Sequence, residues 1–131
     1  MARQQGDVSL EGDLDPKLSA PMDAQDNSIG FTLQSVTGDG TTTFNFSKGQ
    51  HINFTFGAQN ETFIFTPPAK PGVFTMKLIQ DGVGGRTVTW PTVNWSAQTP
   101  PVLSTGIGAI DIISLRWDGT VWDLVPSLDF G

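Results

Sequence analysis

The chain has 131 residues, with 15 glycines, 9 prolines, no cysteine and a net charge of −6. That length suffices for one domain with its own core, and the absence of thiols excludes disulfides and thiolate metal sites. The acidic balance disfavours nucleic acid and anionic membrane surfaces as partners, and no run of about 18 apolar residues is present to span a bilayer.

Residues 1–28 read as an extended acidic arm. They hold six acids (Asp7, Glu11, Asp13, Asp15, Asp23, Asp26) against Arg3 and Lys17. Pro16 and Pro21 break any helix, and the opening stretch MARQQGDVSLEGDLD lacks the apolar core of a secretory signal. Such a segment is either a disordered tail or an arm that orders on a partner, with Leu10, Leu14, Leu18 and Met22 as its apolar contacts. Glu11, Asp13 and Asp15 alternate like a crude calcium site, but the EF-hand loop pattern is missing.

From Ile29 the period becomes two, and residues 29–131 read as one all-β domain. Ile29, Phe31 and Leu33 alternate with polar neighbours, and Gly38-Asp39-Gly40 turns the chain. Phe44 and Phe46 follow, then a turn at Lys48-Gly49, then Ile52, Phe54 and Phe56, then Phe63 and Phe65. Each segment puts rings on one face and Thr or Asn on the other. A rigid Pro67–Gly72 crossing leads to Phe74, Met76 and Leu78. DGVGG (81–85) reads as a hairpin turn into RTVTW (86–90), and Pro91 precedes Val93 and Trp95. Residues 96–108 are loop-like. Ala109–Trp117 is a strand, Asp118-Gly119 a hairpin turn, and Val121–Val125 its return. The expected fold is an antiparallel β-sandwich or jelly roll of roughly eight strands joined by sequential hairpins. No internal repeat is visible.

The residues offer little for catalysis. His51 is the one histidine, and no nucleophile elbow accompanies it. Asp111 sits inside an apolar run, so it needs a partner if buried; Arg86 and Arg116 are the candidates, and a turn-binding role is the alternative. Asp39, Asp81 and Asp118 each precede glycine in a turn, a conformational role. DGVGG could cradle an anion, but it lacks the helix and lysine of a phosphate loop. The sequons at Asn45, Asn53, Asn60 and Asn94 are what strands alternating Asn and Thr produce by chance. No catalytic, cofactor or metal residue is assigned. Trp90 and Trp117 read as core. Trp95 and Trp122 flank loops and could be either core or an interface or sugar-stacking surface.

The stretch 63–124 carries a run of linked motifs: QDGVGGRTVTWP, then Trp95, then PVLST (101–105), then DIISLRWDGTVW (111–122). This pattern resembles a C-terminal β-domain of tailed-bacteriophage virion proteins, among them head fibres, capsid decoration proteins and tail-fibre accessories. Leu18–Gln25, LSAPMDAQ, is similar to the entry segment of head-fibre and decoration proteins, with Gln25 where arginine is usual. The resemblance implies a virion surface component, assembled as a homotrimer on a symmetric shell or tail, and not an enzyme. The chain has no heptads and no room for a fibre shaft. The expectation is therefore a capsid decoration (cement) protein on the capsid surface, with the major capsid protein as partner and the arm as docking element. The alternative is a tail or fibre accessory or adhesin that binds host glycan through Trp95 and Trp122.

Overall fold

The computed structural model describes residues 23–131, and Phe31–Gly131 form one compact unit. The arm residues Leu10, Leu14, Leu18 and Met22 lie outside the described residues. Within 23–30, the Asn27 N–H donates to the Ala24 carbonyl at 3.0 Å, closing a turn in which Gln25 has φ 55°.

The unit is all-β, as the alternation predicts. Its strands are β1 (Leu33–Thr37), β2 (Thr41–Asn45), β3 (His51–Thr55), β4 (Glu61–Thr66), β5 (Gly72–Ile79), β6 (Val88–Thr89), β7 (Asn94–Trp95), β8 (Ile110–Trp117) and β9 (Trp122–Phe130). They form a six-stranded sheet, β1-β3-β5-β8-β9-β7, and a three-stranded sheet, β2-β4-β6.

The expected hairpin order is corrected by the pairing. From β1 to β6 each strand lies in the other sheet from the one before it. β1 to β4 each pair in parallel with the strand two places on. The turns read as hairpins are corners between sheets. At Gly38-Asp39-Gly40, the Gly38 N–H donates to the Thr55 carbonyl at 2.9 Å, closing the β1–β3 ladder. The Gly40 carbonyl accepts from the Thr62 N–H at 2.9 Å, opening the β2–β4 ladder. A Cβ on Gly38 would meet the Glu61 carboxylate and the Phe54 ring at 2.5 Å, and Gly57 packs against the Gly38 carbonyl with no room for one either. Glycine is needed here for close approach of the backbones. Alternation could not reveal this, because one-sided burial has the same two-residue period in parallel and antiparallel strands. The β8–β9 hairpin through Asp118-Gly119 forms as expected, and β5 also pairs antiparallel with β8.

The coil repeats in space without repeating in sequence. Leu33 faces His51, 18 residues on; Thr41 faces Thr62, 21 on; His51 faces Thr75, 24 on; Glu61 faces Val88, 27 on. Each successive pairing spans three residues more, so no fixed period exists to be found.

The start of β1 also differs from expectation. Phe31 and Leu33 are 55% and 48% exposed, and the inward positions belong to Gln34 and Val36. The core begins further on, where the apolar faces of the two sheets meet. Phe44 and Phe63 from the smaller sheet pack edge-on at 4.8 Å, and Phe54 from the larger sheet meets Phe63 at 4.9 Å. Edge-to-face rings satisfy their quadrupoles while burying large areas. Met76, Leu78, Ile113, Leu115 and Leu124 complete this layer.

Candidate functional site

The linked motifs of 80–122 form a bracket that holds loop to sheet. Gln80, next on the buried face after Phe74, Met76 and Leu78, accepts from the Arg86 N–H at 2.9 Å. Its Nε2 donates to the carbonyls of Arg86 (2.9 Å) and Ser104 (3.1 Å). Asp81 accepts from the Gly84 N–H at 2.8 Å and from Arg86 Nη2 at 2.9 Å. The Arg86 hydrogen bond, then the Gly84 amide, hold its carboxyl at about 2, below the usual carboxylate value. Gly84, at φ 79°, lies against the Thr105 carbonyl with no room for a Cβ, and the Gly85 N–H donates to the same carbonyl at 2.9 Å. Asp118 accepts from the Thr120 and Val121 N–H groups, both at 2.8 Å. The hydrogen bond from Val121, then that from Thr120, lower its pKa.

Asp111 is 2% exposed and takes neither Arg86 nor Arg116 as partner. Its carboxylate accepts from the Ser104 N–H and hydroxyl, both at 2.7 Å, and from the Asp129 N–H at 2.9 Å. Asp129 has φ 65° and lies in the bulge where β9 slips against β8 opposite Ile110–Ile112. Asp111 therefore fixes the end of the long loop and a strand irregularity together, by three donors in place of a cation. Arg86 is bound to Asp81, and Arg116 lies 3.9 Å from Asp123. Glu61, 2% exposed, does a similar task at the Gly38–Gly40 corner, accepting from the Gly40 N–H and from the Thr42 hydroxyl at 2.8 Å. Sequence reasoning passed over Glu61, although its two-residue spacing from Phe63 marks it as inward-facing.

A cleft of about 370 Å³ opens where β7 and the β8–β9 hairpin, turned at Asp118, meet the end of β4. Phe65, Val93, Asn94, Trp117, Val121 and Trp122 line it. Trp122 is 5% exposed, its ring packed on Phe46 (4.8 Å), Phe65 (5.6 Å) and Trp117 (5.1 Å). It is therefore the cleft's buried floor. Trp117, read as core, is half-buried at the cleft and lies opposite Trp122 in the β8–β9 register. Asn94 pairs with Asp123 across β7–β9, its Nδ2 donating to the carboxylate at 3.0 Å. A second, wider cleft of about 610 Å³ adjoins at Val93 and Asn94, walled by Trp95, Gln98 and Pro100. Trp95 is half-buried and packs edge-on against Trp90 at 4.9 Å. A concave, mostly apolar site with a few polar groups is the ordinary form of a small-ligand site.

The remaining candidates stand apart from this cleft. His51 lies on the outer face of the larger sheet, its Nδ1 2.6 Å from the Thr75 hydroxyl and its ring 5.9 Å from Phe31. Among the described residues no three His, Cys, Asp or Glu gather as a metal-binding group. Asn45 and Asn60 accept backbone N–H groups at turns, from Ser47 and Thr87. The cleft itself had no sequence signal, because it joins side chains from three separated stretches.

A family model described as "Putative phage tail fibre C-terminal domain" matches residues 36–122, from β1 to the cleft floor at Trp122. No curated protein and no solved structure matches the chain. The chain belongs to this tail fibre C-terminal domain family, and it is a structural component of a phage virion.

Proposed function

We propose that this domain is a tail-fibre module that holds the virion to host-surface glycan, with the Trp117–Trp122 cleft as the sugar site. The observation that carries the reading is the pairing of an aromatic-walled cleft with the Asn94–Asp123 hydrogen bond at its rim, inside a chain of the tail-fibre family. Sugar rings offer an apolar C–H face that packs on aromatic surface and hydroxyls that need amide or carboxylate partners. The volume suits a single sugar ring at the small end of ligand sites. Modest affinity per cleft is enough, because a virion presents many copies and their avidity multiplies.

The family match favours this fibre reading over a capsid cement. In this proposal the domain binds without turnover and self-associates, the homotrimer being the expected state.

Tryptophan fluorescence, titrated with polysaccharide from the phage's host, tests the sugar site. A saturable change that is lost in Trp117→Ala supports it, and an unmoved spectrum with host polysaccharide removes it. Antibody labelling of virions tests the location. Label on tail fibres supports the reading, whereas label on the capsid shell restores the cement reading and its major capsid protein partner. Sedimentation gives the oligomeric state, and an assay for new reducing ends detects any cleavage of the glycan.

A further inference from the structure

The two adjoining clefts differ in width but share one wall. Val93 and Asn94 line both, with the Trp117–Trp122 floor on one side and Trp95 on the other. A single sugar would use one cleft and leave the other aromatic wall idle. Asn94 is exposed at the junction, and among the described residues its one side-chain hydrogen bond is the donation to Asp123. Its amide oxygen and second N–H therefore remain for a ligand, a donor and acceptor side by side that match neighbouring sugar hydroxyls.

Charge narrows the ligand class. No lysine or arginine lines either cleft. Outside the lining, Arg116 lies beside Asp123. An anionic sugar would meet the Asp123 carboxylate at the junction and find no free cation within the clefts. We infer that the paired clefts take an uncharged glycan chain of two or more sugar residues, one in each cleft, with the Asn94 amide bonded to hydroxyls where they join. This rests on the glycan reading above.

The test uses the full chain on a glycan array of mono- to tetrasaccharides, each neutral glycan matched by a version bearing a uronic carboxylate. Neutral disaccharides and longer chains bind, roughly tenfold tighter than their monosaccharides, one good interaction's worth of affinity. Asn94→Ala, at an exposed side chain, leaves the melting temperature in place and abolishes that gain, so that its disaccharides bind no tighter than their monosaccharides. Asp123→Asn raises binding of the acidic versions. Equal affinity for one sugar and for four, or preference for the acidic versions, overturns the inference while the glycan reading stands. Binding to no sugar on the array, together with no response to host polysaccharide, brings down both.

Discussion

The coil of β1–β6 and the closing region of β7–β9 share the same alternation of rings and polar residues but use it differently. In the coil, every second side chain is fixed between two sheets, and the corners are held by Gly38, Gly57 and the Glu61 carboxylate. In the closing region a hairpin meets a two-residue strand, so aromatic side chains run past the end of paired backbone and line open clefts. The difference teaches that the same residue type serves as core or as recognition surface according to whether a facing sheet covers it. Phe54 has no exposure, whereas Trp117 and Trp95 keep part of their surface.

The sharpest way to break that comparison is to empty one side of it. Phe54→Ala removes a ring that packs against Phe56 at 5.1 Å, Phe63 at 4.9 Å and Phe44 at 5.7 Å. The loss is about 3–5 kcal/mol, a large share of a small domain's stability of roughly 5–15 kcal/mol. Denaturant titration measures it. If Phe54→Ala costs no more than an exposed substitution such as Val102→Ala, the facing-sheet core is wrong.

Next in size is Asp111→Asn. An amide oxygen keeps some of the accepted hydrogen bonds, but its NH₂ confronts a donor, and the cost is about 2–3 kcal/mol. Hydrogen exchange locates the damage: the amides of Ser104 and Asp129 lose protection before those of the coil. Uniform loss across both regions would show that the bracket and the coil are not separable.

How much of this was legible in the sequence depends on which physical rule each residue obeyed. Phe44, Phe46, Phe54, Phe63, Phe74 and Met76 were placed by alternation alone, and all are buried. Alternation failed at Phe31 and Leu33, where a polar Gln34 takes the inward position beside Val36. It said nothing of strand order, since Gly38-Asp39-Gly40 and the DGVGG turn look like hairpins until the sheet on the far side of each corner is known. The buried partners of Asp111 were unreadable because they come from a loop seven residues upstream and a bulge near the chain's end. The tryptophans were half legible. Trp95 was rightly set beside a loop, but Trp122 went to the floor and Trp117 to the wall.

A smaller effect on stability, with a larger one on recognition, is expected from Trp117→Ala. The half-buried ring contributes about 1–2 kcal/mol to folding, yet its removal opens the cleft wall and abolishes the sugar-dependent fluorescence change. Measured beside Phe54→Ala at a temperature where both are folded, the pair should separate: stability lost with binding kept in one, binding lost with stability mostly kept in the other. Matching losses in both assays would dissolve the contrast between covered and uncovered rings.

The smallest effect is one of pH, and it sits where the two regions join. Asp81 is held at about 2 in the folded chain against 3.8 in its absence, first by Arg86 and then by the Gly84 amide. A carboxyl whose folded pKa lies below its unfolded value releases its proton more readily when folded. Its contribution to stability is therefore fully present above about 3.8 and fades as the pH falls toward about 2. Asp81→Asn should flatten the stability profile in that window and leave it unchanged near neutrality in slope. Because Asp81 and Arg86 are partly solvent-exposed, added salt should shrink the effect of the ion pair while leaving the amide hydrogen bond in place. A stability profile for Asp81→Asn that still falls as steeply as the parent between pH 3.8 and 2 would assign the acid sensitivity to the other carboxylates of the bracket, Asp118 among them.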